Sequence, residues 1–279
     1  MLLIFPTPSE RKETEMSGDK ELKSQGTSRP VVMFVFAHQD DEVGYFCLIS
    51  HLVRDRTPLK MIWITDGAYS VPAEVRREET KTALGMIGLS TDALEFWDYP
   101  DGSSIKYAVE IVDRLTERMC EISPVEVYVP AYEGGHPDHD FAHFAAVTAA
   151  SRLEKPPMVF EAPLYNKYKS LFVSFNRFIP APTPTIYTPM GREDVAMKVR
   201  GMFKYKSQFW ITTFPLLIFG WPRLLERGEP YRRVPERDYR KPPHEGKLYY
   251  ESYPLGKMLG VRFSDFRKAV EEVLKASNS

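Results

Sequence analysis

The sequence predicts an α/β fold, a three-layer sandwich of helices over a mostly parallel sheet with a loop-rich C-terminal elaboration. Three observations lead there. From Val31 onward, short runs rich in β-branched and aromatic residues alternate with longer amphipathic segments, the pattern of a parallel sheet covered by crossover helices. Two histidine-bearing clusters each closely follow one of those apolar runs. Beyond Leu153 the alternation weakens and proline becomes frequent, notably between Pro180 and Pro189 and at Pro242-Pro243.

The strand candidates are residues 31–37, 60–65, 94–98 and 125–131. Between them lie helical patterns over 41–53, 73–87 and 108–121, and a fourth follows over 139–153. Crossovers between parallel strands are almost always right-handed, so the economical topology is Rossmann-like. The C-terminal half adds strands at 158–162 and 171–179 and a helix over 192–207. A closing amphipathic helix over 264–276 carries Phe266, Val270, Val273 and Leu274 on its apolar face. Residues 1–5 are apolar but residues 6–29 are polar and aperiodic, and residues 1–29 read as a disordered arm. Residues 30–279 read as one domain, with its core over 30–165 and an elaboration over 166–279; a chain of 279 residues is long enough to bury a substantial core.

Composition excludes some classes of function. A formal net charge of -1 supplies no global field for nucleic acid, so no nucleic-acid partner is expected. Cys47 and Cys120 sit in apolar helical patterns and read as buried thiols, not as a disulfide framework. The N-terminal residues show no signal-peptide apolar region, and together these features suggest a reducing, cytoplasmic setting. The stretch 209–225 contains Pro215 and Pro222 and falls short of the ~20 residues a membrane-spanning helix needs.

The two clusters, His38-Gln39-Asp40-Asp41-Glu42 and His136-Pro137-Asp138-His139, carry the chemistry. Ligands of open parallel sheets bind outside the carboxyl ends of the strands, and both clusters fall at such ends, so they meet in space despite their separation in sequence. Zinc takes imidazole nitrogen and carboxylate oxygen, and a catalytic site keeps three protein ligands. His38, Asp41 and His139 make such a set, leaving Asp40, Asp138 and His136 for acid-base or supporting roles. Taken alone, His38 and Asp41 also fit an N-cap carboxylate beside an incidental histidine; the second cluster tips the balance to a metal site.

The segment Ala37-His38-Gln39-Asp40-Asp41-Glu42 resembles the Ala-His-Pro-Asp-Asp-Glu signature of the PIG-L or LmbE-like deacetylase family. Further matches occur in the family's order: Thr65-Asp66-Gly67, Arg76 with Glu79 and Ala83, Ile87-Gly88, and Pro100-Asp101-Gly102. The run from Glu133 to His139 resembles the second signature, and Lys204 to Gln208 a weaker downstream motif. The resemblance spans about Val32 to Gln208. It implies a Rossmann-like fold, bound zinc and hydrolysis of an N-acetyl group, commonly on a glucosaminyl sugar. It makes His38, Asp41 and His139 the zinc ligands and Asp40 the general base. It assigns His136 to the oxyanion or leaving amine, with Asp138 orienting it, and it suggests that Arg76 and Asp101 contact sugar hydroxyls. The bland alternative for those two is an ion pair of Arg76 with Glu79 and a turn at Asp101.

Two departures stand out. Gln39 replaces the usual proline, which loosens the backbone while leaving ligand types and spacing intact. Some family members place a tyrosine two residues before the position of His136, where this chain has Gly134; Tyr132 sits at a different offset and does not inherit that role. Glu42 is expected to cap the following helix or support the ligands, His143 to pack or bond behind them, and His51 and His244 to be structural or surface residues. The apolar run 209–221 reads first as a core or homo-oligomer contact and second as a surface for a lipid-linked aglycone or a membrane. The expected activity is zinc-dependent N-deacetylation of an acetamido sugar or its conjugate. The alternatives are an amidase or O-deacetylase on another acyl substrate and a non-catalytic sugar-binding protein.

Overall fold

The run Val-Met-Phe-Val-Phe carries no polar side chain, and in the computed structural model it forms β1 (Val32–Phe36), buried along its whole length in the middle of a sheet. The structure describes residues 29–170, 172–252 and 260–277, so the expected arm lies outside them except for Arg29. β1 pairs in parallel with β2 (Leu59–Thr65) on one edge and β4 (Glu126–Pro130) on the other. β3 (Leu94–Tyr99) continues beyond β2 and β5 (Met158–Ala162) beyond β4, both parallel. Two antiparallel strands, β9 (Glu229–Arg233) and then β8 (Ile186–Thr188), complete the order 3-2-1-4-5-9-8. A small hairpin of β6 (Tyr165–Asn166) and β7 (Ser174–Phe175) stands apart.

The helices are α1 (Phe46–Arg54), α2 (Ala73–Gly85), α3 (Ala108–Ile122), α4 (Pro137–Ser151), α5 (Arg192–Met202), α6 (Trp221–Arg227), the single turn α7 (Tyr249–Ser252) and α8 (Phe263–Ala276). Alternation along the strands divides the core between two layers. Met33 and Val35 pack with residues of α3, α4 and α8, while Val32, Phe34 and Phe36 pack with residues of α1, α2 and α5. Phe34, Tyr128 and Phe160 are in register on adjacent strands, and their rings stack at 5.0 and 5.1 Å. The α/β sandwich expected from the alternation is therefore present.

Several local expectations change. The helix expected over 41–53 begins with a 3-10 turn (Asp41–Tyr45), and the one expected over 192–207 ends at Met202, before a 3-10 turn at Lys206–Gln208. Of the strand expected at 171–179 only the two residues of β7 appear; residue 171 lies outside the described residues. Cys47 is buried, but Cys120 is exposed near the end of α3. The run 209–221 winds through wide π turns, Phe209–Thr213 and Leu216–Gly220. The reading of that run as core is only partly right: Leu216 is buried, but Trp210 is 73% and Phe219 66% exposed. Among the described residues no helix is long and apolar enough to cross a membrane.

β8 and β9 were not expected, because Glu-Pro-Tyr-Arg-Arg contains no apolar run; polar pairing holds β9 in place instead. Arg232 Nε donates to Glu161 Oε1 at 2.7 Å, and both side chains are buried. Glu229 accepts the N–H groups of Cys47 and Leu48 at 2.9 and 3.1 Å, satisfying the start of α1. Lys198 of α5 donates to Glu229 Oε1 at 2.5 Å and to the Val43 carbonyl at 2.5 Å. Both partners of this pair are buried, so removing the lysine leaves an uncompensated charge. Lys198→Ala should lower unfolding free energy by about 3–5 kcal/mol in urea denaturation. The double variant with Glu229→Ala should cost less than the two single losses added together. A loss under ~1 kcal/mol for Lys198→Ala would show that the pair does not secure this edge.

Candidate metal centre

Chain order in the sheet reverses between β1 and β4, and both histidine clusters lie at the carboxyl ends of those two strands, the usual ligand crevice of such sheets. The first turn is built by its own carboxylates. Asp41 Oδ2 accepts the N–H groups of Ala37 and His38 at 3.0 and 2.9 Å. Glu42 Oε2 accepts the Asp40 N–H at 2.9 Å and Trp63 Nε1–H at 3.1 Å, while its Oε1 accepts the Tyr205 hydroxyl. These bonds hold Asp40 at φ 113°, a strained conformation for a residue with a side chain. Gln39 does not leave the turn loose, because its buried Nε2 donates to the Thr65 carbonyl at 3.0 Å. Gly67, at φ 59°, makes room for it; a Cβ there would lie 2.2 Å from Gln39 Oε1.

The second turn caps α4. His136 is its N-cap, Pro137 follows at the first position, and His136 Nδ1 accepts the Asp138 N–H at 3.2 Å. That bond fixes a neutral imidazole with its proton on Nε2. Burial, reinforced by the charge of His38, pushes the His136 pKa down to about 3. Thus the Asp138 backbone, and not its carboxylate, orients His136. The carboxylate accepts from the Gly102 N–H at 2.6 Å and the Ser104 hydroxyl at 2.5 Å, which draws the loop after β3 into the site. Asp140 Oδ1 accepts the N–H groups of Glu133 and Gly134, both at 3.0 Å.

The two turns meet closely. His38 Nδ1 lies 3.0 Å from His139 Nε2, which lies 3.0 Å from Asp41 Oδ1; His38 Nδ1 and Asp41 Oδ2 are 4.0 Å apart. Neighbouring donors around a tetrahedral zinc with bonds of 2.0–2.1 Å are about 3.3 Å apart, close to the two approaches of His139 Nε2, whereas Asp41 Oδ2 is already bonded to two backbone N–H groups. Two ring nitrogens facing each other at 3.0 Å have to share a proton or a cation. Three carboxylates, of Asp41, Asp101 and Asp138, lie against these histidines, and a fourth, of Asp40, is paired with Arg76. A dication fits this donor set in both softness and charge.

Two groups of donor atoms converge within 4.8 Å among the described residues: His38, His136 and His139, and His38, Asp101, His136 and Asp138. The second group is the poorer cation site, because the oxygens of Asp138 are taken by Gly102 and Ser104. His38 Nε2 instead meets Asp101 Oδ1 at 3.0 Å and Asp138 Oδ2 at 3.3 Å, the carboxylate support typical of a metal-binding imidazole. Burial opposes charge on His38, but Asp101, Asp138 and Asp41 outweigh it and raise its pKa well above the usual value. Burial likewise opposes charge on Asp41, yet His139 and His38 bring its pKa down to about 2.

Arg76 and Asp101 are not placed as expected. Arg76 is 3% exposed, and its Nη2 donates to Asp40 Oδ1 at 2.9 Å and to the Gln39 carbonyl. It therefore aims Asp40, and among the described residues it makes no pair with Glu79. Glu79 accepts instead from the Ser207 N–H and hydroxyl at 2.8 and 2.6 Å, so the downstream motif braces α2. Asp101 faces His38. His143 is buried behind the site, bonded to the Pro130 carbonyl and the Tyr239 hydroxyl, and His51 pairs with Asp194.

Sequence reasoning missed Tyr165, whose ring stands edge-on to that of His139 with centroids 5.5 Å apart. Only the pair Gly134-Gly135 hints at a close neighbour there: a Cβ on Gly135 would lie 2.2 Å from the Tyr165 carbonyl oxygen and 3.0 Å from its ring.

Comparison with solved structures shows the same fold. A deacetylase of the teicoplanin biosynthesis pathway has a TM-score of 0.59 at 19% identity, covering 75% of this chain and 99% of that one. The zinc inhibited form of teicoplanin deacetylase gives 0.57 at 17% identity, covering 74% and 100%. N,N'-diacetylchitobiose deacetylase from Pyrococcus horikoshii gives 0.56 at 20% identity, covering 74% and 84%. Comparison with curated protein sequences found no match. The model of the PIG-L family, described as GlcNAc-PI de-N-acetylase, matches residues 33–150, the stretch from β1 through α4 that carries both histidine turns. Over that stretch the chain is similar to the PIG-L family.

Proposed function

We propose that this chain hydrolyses the N-acetyl group of an acetamido sugar or sugar conjugate, releasing acetate and a free amine, with zinc held by His38, Asp41 and His139. The observation that carries this reading is the 3.0 Å approach of His139 Nε2 to both His38 Nδ1 and Asp41 Oδ1, beside a separate carboxylate, Asp40, that Arg76 holds. The family description and the named activity of the Pyrococcus horikoshii neighbour both denote deacetylation and support it.

Zinc, when held by His38, Asp41 and His139, would supply a Lewis acid and lower the pKa of a bound water to about 7. The chain does the rest. Asp40 accepts the proton of the attacking water and passes it to the nitrogen that leaves when the amide C–N bond breaks. Arg76 keeps Asp40 aimed. His136 donates its Nε2–H to the carbonyl oxygen as negative charge builds on it, acting as a neutral donor. Asp101 and Asp138 set the ring of His38, and sugar specificity falls to residues outside these two turns.

Asp40→Asn should retain zinc while lowering turnover by about 10²-fold or more, measured as acetate and amine released from a panel of N-acetyl sugars. Full activity in that variant removes the general-base role, and turnover of O-acetyl substrates alone replaces the amidase reading with an esterase one. Binding of sugar without turnover at any metal loading would favour the non-catalytic alternative.

Metal dependence has its own test. Dialysis against a chelator should abolish activity, and added zinc should restore it at about one ion per chain. Zinc beyond that ratio belongs in the titration, because one structural neighbour is a zinc inhibited form. His38→Ala and His139→Ala should each weaken zinc binding by roughly 100-fold or more, since loss of a mere supporting partner already costs 10–100-fold. Unchanged zinc affinity in either variant would remove that residue from the ligand set.

A further inference from the structure

We infer that the outer face of residues 203–225 docks on a bilayer bearing anionic headgroups. This concerns a surface outside the two histidine turns and stands apart from the deacetylase reading. From Phe209 to Arg227 the chain winds continuously, through the π turns Phe209–Thr213 and Leu216–Gly220 and then α6. Its inner face is occupied. Thr213, Leu216, Gly220 and Leu224 are buried, the Thr213 hydroxyl donates to the Met202 carbonyl at 3.2 Å, and Leu216 joins the core layer beneath α1, α2 and α5.

A helical segment docked on one side ordinarily turns polar residues outward. This one instead turns out Trp210, Phe214, Ile218, Phe219 and Leu225, each between 43% and 73% exposed. Positions 210, 214 and 218 recur at intervals close to one wide turn and so share a side. Phe203 extends the face: the rings of Phe203, Phe209, Trp210 and Phe214 run on from one to the next at centroid distances of 5.8, 5.0 and 5.3 Å.

A contiguous apolar face of this kind marks an interaction surface, and its charge selects the partner. Residues 200–225 include Arg200, Lys204, Lys206 and Arg223 and no acidic residue, in a chain whose net charge is -1. Arg200 and Lys206 stand three residues to either side of the exposed Phe203 and are themselves exposed. A two-fold dimer through this face would set the same cations against each other with no carboxylate from the segment to pair them. Anionic headgroups supply that counter-charge, and exposed Trp and Phe beside Lys and Arg is the composition of a face that lies in a membrane interface. Among the described residues no helix is long and apolar enough to cross a membrane, so this face rests on the bilayer. The turn between Phe203 and Phe209 carries Tyr205, bonded to Glu42, and Ser207, bonded to Glu79, which ties the docked face to the first histidine turn and to α2.

The probe is vesicles of phosphatidylcholine with about one-third phosphatidylglycerol, compared with pure phosphatidylcholine. The full chain should float with the anionic vesicles at low ionic strength, bind the neutral ones about 10-fold more weakly or worse, and come off as salt rises. Trp210→Ser with Phe219→Ser should weaken binding by about 10-fold or more, and Arg200→Gln with Lys206→Gln by about 10-fold with a shallower salt dependence. All four side chains are exposed, so the unfolding midpoint should not move. Brominated lipid should quench tryptophan emission in the wild type and lose most of that effect in Trp210→Ser, because Trp63 and Trp97 are buried and Trp221 is half-buried. A wild type that stays free of anionic vesicles at low salt overturns the inference, as does full binding by the Trp210→Ser, Phe219→Ser variant. A wild-type dimer that this variant splits gives the face to a second copy and overturns it too. If the variant unfolds at a lower temperature, quenching in the wild type decides: quenched emission sustains the inference and unquenched emission overturns it. None of these readouts measures amine release, so the deacetylase reading stands or falls separately.

Discussion

The parallel pairing of β1 with β4 is the constraint on which the site depends. The helices that follow the two strands leave to opposite faces of the sheet, α1 to one and α4 to the other, and the split opens a crevice at their carboxyl ends. Two turns far apart in sequence thereby bring His38 and His139 to 3.0 Å. Register matters as much as pairing. A slip of one residue in β1 would exchange Met33 and Val35 with Val32, Phe34 and Phe36 across the sheet, and the stacked rings of Phe34, Tyr128 and Phe160 oppose it.

Around the crevice, the buried carboxylates divide into two groups. Asp41, Asp101 and Asp138 face imidazoles, and although burial opposes their charge, the histidines lower the pKa of each. Glu42, Glu133 and Asp140 lie further out and accept from backbone N–H groups; burial raises them to about 7, 8 and 7. The outer group shapes the turns, holding Asp40 in its left-handed conformation and fastening Tyr165 to the Gly134-Gly135 loop. The inner group sets the electrostatics. A carboxylate is thus used both as a mould for backbone and as a counter-charge, and Asp41 and Asp138 serve as both at once.

How much of this was legible follows from the range of the interactions involved. The five parallel strands and both histidine turns were readable because their signals are local: apolar runs of strand length, with ligand residues a few positions apart. The inward turn of Arg76 was hidden because Asp40 lies 36 residues away and nothing local marks the pair. Likewise β9 has no apolar pattern; it is held by Glu229 bonding to a helix start 182 residues earlier and by Arg232 on Glu161. Tyr165 was invisible for the same reason, and the adjacent glycines gave the only trace. The apolar run 209–221 misled because hydrophobicity alone does not distinguish a core segment from an exposed one, and Trp210 and Phe219 proved exposed.

The C-terminal half contributes to the site mainly through constraint. Tyr205 bonds Glu42, which holds Asp40; Ser207 bonds Glu79 on the helix that carries Arg76; Lys198 and Glu229 anchor the start of α1. Leu248 packs where a side chain on Gly134 would stand. Residues that brace the two histidine turns are therefore spread through this half. In a close-packed structure a volume change at one of them is transmitted to the turns. A substitution there that loosens the bracing should therefore lower kcat in the proposed reaction, because Asp40 is held only as firmly as the segments stacked behind it.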